Sequence, residues 1–117
     1  MRRSPRESGP RVKVVLDEML PAAIAGLLSG HDVATAKVAG YTGLSNGDLL
    51  RRAAADGFAV LVTADRNLPA QQNVPAGTVA VVLVRGSRMV DIEPQATRIR
   101  AAVAGARPGT VTRVLPG

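Results

Sequence analysis

Carboxylates follow two apolar segments that have the composition of buried strands. Asp17 ends "VKVVLD" (12–17), and Asp65 follows "FAVLVTA" (58–64). Glu18 comes directly after Asp17, and Asp48 stands at the start of a helical pattern. Because ligands of parallel α/β sheets bind outside the carboxyl ends of the strands, we expect these side chains to meet at one edge of a sheet. Four of the nine acidic residues would then lie together in a basic protein.

A divalent cation is the simplest reason for such a cluster. Carboxylates that lie close together repel one another unless a positive group joins them. Mg²⁺ or Mn²⁺ suits the role, because these ions prefer oxygen ligands and keep waters for a substrate. A metal held in this way lowers the pKa of a bound water and stabilises charge on phosphoryl oxygens. The pattern therefore predicts a Mg²⁺ or Mn²⁺ cofactor and hydrolysis of phosphodiester bonds.

Each acid also has a structural explanation. Asp17 and Glu18 are placed to cap a helix that opens at Pro21. Ser45-x-x-Asp48 resembles a capping box, with Asp in place of the usual Glu. Asp65 has the residue type of an ordinary turn former. The functional interpretation rests on their shared location and not on any one residue.

The charge balance favours an anionic partner. The chain has 15 basic and 9 acidic residues and a formal net charge of +6, which makes nucleic acid the leading candidate. The alternative is that solvated ends carry much of the excess, since residues 1–13 hold five basic residues and one acid. Cysteine is absent and His31 is the single histidine. These counts exclude Cys-based or His-rich zinc sites and argue against a Ser-His-Asp triad.

The order of elements predicts one α/β domain over residues 11–117, preceded by a disordered basic arm over residues 1–10. Strands are predicted at 12–17, 31–37, 58–64, 78–84 and 110–115, the last at a sheet edge. Helices are predicted from Pro21 through "PAAIAGLL", from a Ser45 or Asn46 cap to Gly57, and over 93–106. Loops are predicted at 39–48 and 66–73.

Continuous apolar strands that alternate with helices are typical of a parallel sheet covered on both faces. We therefore expect a three-layer α/β sandwich with a mainly parallel sheet of four or five strands. No apolar run reaches the ~18 residues of a membrane span, and the basic start lacks the apolar core of a secretory signal. A cytoplasmic protein without a membrane partner is expected.

Two family resemblances follow from the motifs. "VVLDEMLP", "GHDV" and "ADRNLPA" resemble a receiver domain, in which a strand ends on a phospho-accepting Asp. Such a domain needs a Lys at the end of a late strand, whereas the only lysines here are Lys13 and Lys37. The receiver domain is therefore the weaker match.

The better match is the PIN-like toxin family, relatives of the VapC-type ribonucleases of toxin–antitoxin pairs. "LDEMLP" (16–21) resembles the family's opening Asp-Glu-x-Leu-Pro, and "GHDV" (30–33) its entry to the second strand. The block over residues 40–68 is similar to the family's middle part: a Gly-rich loop, an acid at a helix start and a strand ending in Thr-x-Asp. "QQN" (71–73) and "VAVVLV" (79–84) also resemble one branch of the family.

The resemblance implies a PIN-like fold and a Mg²⁺-dependent ribonuclease. Asp17, Asp48 and Asp65 would bind the metal, and Glu18 stands where the family has the partner of its acid pair. Many relatives carry a second acid two residues after the Thr-x-Asp aspartate, where this chain has Asn67. An amide supplies no charge, so the pattern predicts that one metal ion is bound strongly and a second one only weakly. Asn67 would orient a water or a substrate oxygen.

The resemblance also implies partners. RNA would be the substrate, with Arg51 and Arg66 holding phosphates, and a small cognate antitoxin would restrain the toxin. Arg52, Arg85 and Arg88 are further candidates for phosphate contacts. The segment "RGSRMV" (85–90) would serve either as the edge of a homodimer or as an RNA contact. The alternative function is a catalytically inactive PIN-like module that binds RNA or protein.

Overall fold

The computed structural model describes residues 11–65, 79–86 and 88–114. The predictions for the arm over residues 1–10, for the loop over 66–73 and for Arg66 and Asn67 lie outside the described residues.

A five-stranded parallel sheet forms the centre of the fold, in the order β2-β1-β3-β4-β5. Every pair of neighbouring strands runs parallel. The strands end together at one side of the sheet, which we call the carboxyl edge. Their bounds are β1 Lys13–Leu16, β2 Asp32–Thr35, β3 Val60–Thr63, β4 Ala80–Leu83 and β5 Val111–Arg113.

Helical segments connect the strands. A 3-10 helix, Ala22–Leu28, links β1 to β2. Two α-helices, α1 Ala36–Ala39 and α2 Asn46–Ala55, lie between β2 and β3. A continuous helical stretch leads from β4 towards β5 and consists of α3 Met89–Ile92, a 3-10 turn Glu93–Gln95 and α4 Ala96–Ala104.

Two apolar layers cover the sheet, one on each face. Successive strand residues point to opposite faces, so Val14 and Leu16 enter one layer and Val15 enters the other. The first layer packs against the 3-10 helix, α3 and α4, and the second packs against α2. The predicted three-layer α/β sandwich with a parallel sheet is confirmed.

The side of the sheet to which strands are added reverses at β1. The chain leaves β1 to form β2 on one side and returns to form β3 on the other, so β1 and β3 flank a switch point in strand order. Parallel sheets bind ligands at such points, just outside the carboxyl edge. Asp17 follows β1 directly, and Asp65 follows β3 after one intervening residue. The topology thus places two of the predicted acids on either side of the switch point.

The second predicted strand, 31–37, is wrong at its end. The strand stops at Thr35, whose side-chain oxygen accepts a hydrogen bond from the Val38 N–H at 3.1 Å and caps α1. Gly40 then ends α1 with a φ of 85°, a conformation that glycine adopts without a steric penalty. Residues 36–39 therefore continue as a helical turn instead of a strand.

Two other boundaries also differ. The predicted helix at Pro21 is a 3-10 helix that begins after Pro21, and Gly26 inside this short segment disfavours a regular α-helix. The last helix begins at Met89, before the predicted start at residue 93, and Pro94 lies in its 3-10 turn.

Within the described ranges, no helix is long and apolar enough to cross a membrane.

Candidate functional site

Thr63, the last residue of β3, links Asp17 to Asp65. Its hydroxyl donates a hydrogen bond to Asp17 Oδ2 at 2.6 Å and accepts one from the Asp65 backbone N–H at 3.1 Å. The Asp17 N–H in turn donates to the Val62 carbonyl at 2.9 Å, so the ladder between β1 and β3 extends to Asp17. The two acids are therefore held by the ends of two adjacent strands.

Thr63 is fully buried, and in these contacts its hydroxyl uses its one donor and one of its two acceptor lone pairs. A buried hydroxyl without partners would cost free energy. The packing of the sheet therefore determines the orientation of the Asp17 carboxylate. Asp17 and Asp65 themselves are partly buried.

Asn46 brings α2 to the same place. As the first residue of α2, it donates a hydrogen bond from Nδ2 to Asp65 Oδ2 at 3.2 Å. Ser45 caps the helix by accepting the Asp48 N–H at 3.3 Å, so of the two predicted caps, Ser45 and Asn46, the structure has Ser45. The start of α2 thus supplies an amide to the carboxyl edge beside the two acids.

Asp48 forms an ion pair with Arg51 one helical turn further on. The hydrogen bond from Arg51 lowers the pKa of the Asp48 carboxyl, and a hydrogen bond from Ser45 lowers this pKa further. Both side chains of the pair are exposed, at 73% for Arg51 and 52% for Asp48. The contacts match the capping-box alternative in part, and the role of Asp48 as a metal ligand stays a prediction.

Glu18 points to the Gly-rich loop, where Oε1 accepts the Gly43 N–H at 3.4 Å. The 3-10 helix after it begins without a side-chain cap, so the proposed capping role of Asp17 and Glu18 is absent. A cavity of about 370 Å³ opens beside these two acids and is also lined by Thr35 and Lys37. Glu18 therefore lines the approach to Asp17 from the β2 side.

The oxygen donors fit a hard cation of the Mg²⁺ class. Across the described ranges, no three His, Cys, Asp or Glu side chains form a group that could hold a metal ion. Mg²⁺ is commonly held by only one or two carboxylates, with waters and substrate phosphates completing its shell. Asp17 and Asp65 supply two carboxylates that follow adjacent strands, and the Asn46 amide donates to Asp65.

Sequence reasoning missed Thr63 and Asn46 as members of the site. The sequence does contain an indication for Thr63, because a hydroxyl residue that ends an otherwise apolar strand must find polar partners. Asn46 was considered only as a helix cap, and nothing in the sequence alone pairs it with Asp65. His31, the single histidine, uses Nδ1 to accept the Val12 N–H at 3.1 Å.

Comparisons with family models, with curated proteins and with solved structures found no match to this chain.

Proposed function

We propose that the protein is a Mg²⁺- or Mn²⁺-dependent endoribonuclease that acts at the carboxyl edge. The observation that carries the proposal is the Thr63 hydroxyl, which donates to the Asp17 carboxylate and accepts the Asp65 backbone N–H at the switch point. A polar side chain buried in a sheet core needs hydrogen-bond partners, and those of Thr63 belong to the two acids. Two ordered carboxylates at this position suit a cation that binds phosphate oxygens.

Each residue of the chain has a distinct part in this proposal. Asp17 and Asp65 would hold the cation, which when bound would supply a water of lowered pKa and stabilise charge on the phosphoryl oxygens. Thr63 holds the Asp17 carboxylate in place, and Asn46 does the same for Asp65. Glu18 borders the cavity at this site, where it would act in the outer shell.

Asp48 and Arg51 would act together. Their ion pair is exposed, and exposed pairs are weak, so a cation and a phosphate can replace it at little cost. Asp48 would then be a further metal ligand and Arg51 would bind a substrate phosphate, with Arg66 as a second phosphate contact. Asn67 would orient a water or a substrate oxygen.

The cellular role in this proposal is that of a toxin of a toxin–antitoxin pair. It rests on the PIN-like motifs of residues 16–21 and 40–68 and would place the protein in the cytoplasm. A small cognate antitoxin is the expected protein partner, with a homodimer as a second expectation. The basic net charge of +6 supports RNA as the substrate.

RNA cleavage by the purified protein tests the proposal. We expect cleavage with Mn²⁺ or Mg²⁺, none with EDTA, and none from Asp65→Ala. Asp32→Ala is the matched control, because Asp32 is an exposed acid at the first residue of β2, at the opposite edge of the sheet. Equal cleavage by wild type and Asp65→Ala would overturn the proposal, as would no cleavage at all.

One observation favours a receiver-type phosphoacceptor domain as a second function, and one counts against it. The strand order 2-1-3-4-5 is shared by flavodoxin-like folds, including receiver domains, and Asp65 follows β3 as a phospho-accepting Asp would. The late lysine is missing, since Arg85 and Val114 follow β4 and β5. Acetyl phosphate or beryllofluoride with Mg²⁺ should therefore leave the protein unchanged.

A further inference from the structure

Two buried polar side chains bond the chain at the carboxyl edge of the sheet. Besides Tyr41, the polar side chains buried within the described ranges are Thr63 and Gln95. Thr63 holds Asp17 and Asp65, as described above. Gln95 lies in the 3-10 turn before α4 and supports the neighbouring strand, β4.

The amide of Gln95 holds both backbone groups of Arg85. Gln95 Nε2 donates to the Arg85 carbonyl at 2.8 Å, and Gln95 Oε1 accepts the Arg85 N–H at 3.3 Å. The same Nε2 donates to the Asp91 carbonyl at 2.9 Å. A side chain that is only 3% exposed thus fixes the backbone of the residue from which an exposed arginine projects.

Arg85 and Asp65 leave adjacent strands at the same level. The last paired residues of β3 and β4 are Thr63 and Leu83, and the Val84 N–H continues the ladder by donating to the Thr63 carbonyl at 2.9 Å. Asp65 and Arg85 each lie two positions beyond that last pair. Adjacent strands are about 4.8 Å apart, so the backbone of Arg85 lies one strand away from the exit of β3.

The turn after Arg85 is closely packed. Gly86 has a φ of 87°, and a Cβ placed there would lie 2.5 Å from Asp91 Cβ, so only glycine fits. The next described arginine, Arg88, is paired with Asp91 at 3.3 Å. In the described ranges, Arg85 takes part in neither of the two ion pairs. Its charge is therefore available at the carboxyl edge.

We propose that Arg85, held by Gln95, binds an RNA phosphate next to the one that lies at Asp17 and Asp65. This inference rests on the proposed function and adds a named anion site on the β4 side. Guanidinium groups bind phosphate oxygens through two parallel hydrogen bonds. A cation that projects from an ordered backbone one strand away from the acids would hold the RNA backbone across the edge and keep the cleaved phosphate in register.

RNA binding without metal tests the anion site separately from cleavage. A labelled single-stranded RNA is titrated in EDTA at several salt concentrations, with wild type, Arg85→Ala and Arg107→Ala. Arg107 is an exposed arginine between α4 and β5, at the opposite edge of the sheet, and it loses the same charge. We expect Arg85→Ala to bind roughly tenfold more weakly and to lower the salt slope by about 0.7, with Arg107→Ala near wild type.

A second variant tests whether Gln95 acts through Arg85. Gln95→Met should weaken RNA binding by the wild-type chain but should have no further effect in the Arg85→Ala chain. A Gln95 that only stabilises the fold would weaken both to the same extent. Thermal melting checks that each variant is folded at the assay temperature.

The outcomes separate this inference from the nuclease proposal. Binding that depends on Arg85, without metal-dependent cleavage, supports the anion site and contradicts the nuclease. Cleavage with equal binding by wild type and Arg85→Ala contradicts the anion site alone. No RNA binding by the wild-type protein contradicts the anion site whatever the cleavage assay gives.

Discussion

The hydroxyl of Thr63 lies 2.6 Å from Asp17 Oδ2 and joins the ends of β3 and β1. This distance is typical of a hydroxyl that donates to a carboxylate. Since the same oxygen accepts the Asp65 N–H, one buried side chain orders acids that are 48 positions apart in the sequence. The core of the sheet thus fixes the Asp17 carboxylate and the backbone of Asp65.

Thr63→Val tests this link. The substitution keeps the β-branched shape but leaves Asp17 and the Asp65 N–H without the hydroxyl. We expect a loss of about 1–3 kcal/mol in the free energy of unfolding, measured by urea denaturation, together with weaker Mn²⁺ binding. Thr112→Val, at a partly buried position of β5, is the control and should change stability by less than about 0.5 kcal/mol. Equal stability of wild type and Thr63→Val would contradict the link.

Asp48→Asn separates a structural role from a catalytic one. Because the Asp48–Arg51 pair is exposed, the free energy of unfolding at neutral pH should hardly change. The lowered pKa of Asp48 means that its contribution to stability is present above the ordinary carboxyl range and is lost as the pH falls through the lowered value. RNA cleavage, in contrast, should fall strongly if Asp48 is a metal ligand. Full cleavage by Asp48→Asn would remove it from the site.

Tyr41 provides a pH-dependent probe of the second apolar layer. Burial, followed by the hydrogen bond to the Asp56 carboxylate, raises the pKa of Tyr41 from 10.0 to about 12. A raised pKa means that the folded protein holds the phenolic proton more tightly. The resulting stabilisation is therefore complete below pH 10 and is lost as the pH rises through about 12.

The ultraviolet absorbance of tyrosinate measures this pKa directly, because Tyr41 is the only tyrosine and the chain has no tryptophan. We expect a midpoint near 12 in the folded protein and near 10 in denaturant. Tyr41→Phe should keep the edge-on contact with the Phe58 ring, whose centroid is 6.1 Å away, and should lessen the alkaline loss of stability. A native midpoint near 10 would contradict the described burial and hydrogen bond.

Two glycines should respond to alanine in opposite directions. A Cβ at Gly26 in the first 3-10 helix would meet nothing within 4 Å, and we expect Gly26→Ala to stabilise the fold by ~0.5–1 kcal/mol. A Cβ at Gly40 also meets nothing, but its φ is +85°, so Gly40→Ala should cost ~1–2 kcal/mol. Thermal melting of both variants measures the difference. Effects of the same sign would contradict the described backbone of one of these positions.

The pattern of apolar residues predicted the architecture well. Val14 to Leu16 and Val60 to Val62 are continuous apolar runs, which only a sheet covered on both faces buries completely. Helix α2 could also be predicted, because its Ser45 cap and its 3.6-residue apolar period are both visible in the local sequence. The predicted end of β2 is wrong, because the Thr35 cap and the Gly40 turn, and not the pattern of residue types, make residues 36–39 helical.

The site was only partly predictable. The positions of Asp17 and Asp65 follow from the rule that ligands bind at the carboxyl edge, which needs no knowledge of contacts. Thr63, Asn46 and Gln95 act through hydrogen bonds between elements that are distant in sequence. Such partners depend on strand register and side-chain geometry, which residue types and spacing do not contain.

Thermal melting with Mn²⁺ tests the central claim, that Asp17 and Asp65 form a cation site, most directly. At a Mn²⁺ concentration 100 times its dissociation constant, we expect a stabilisation of about 2.7 kcal/mol for wild type. Asp17→Asn and Asp65→Asn should lose this stabilisation, whereas Asp32→Asn, at the opposite edge, should keep it. No stabilisation of wild type by millimolar Mn²⁺, or equal stabilisation of all four proteins, would contradict the claim.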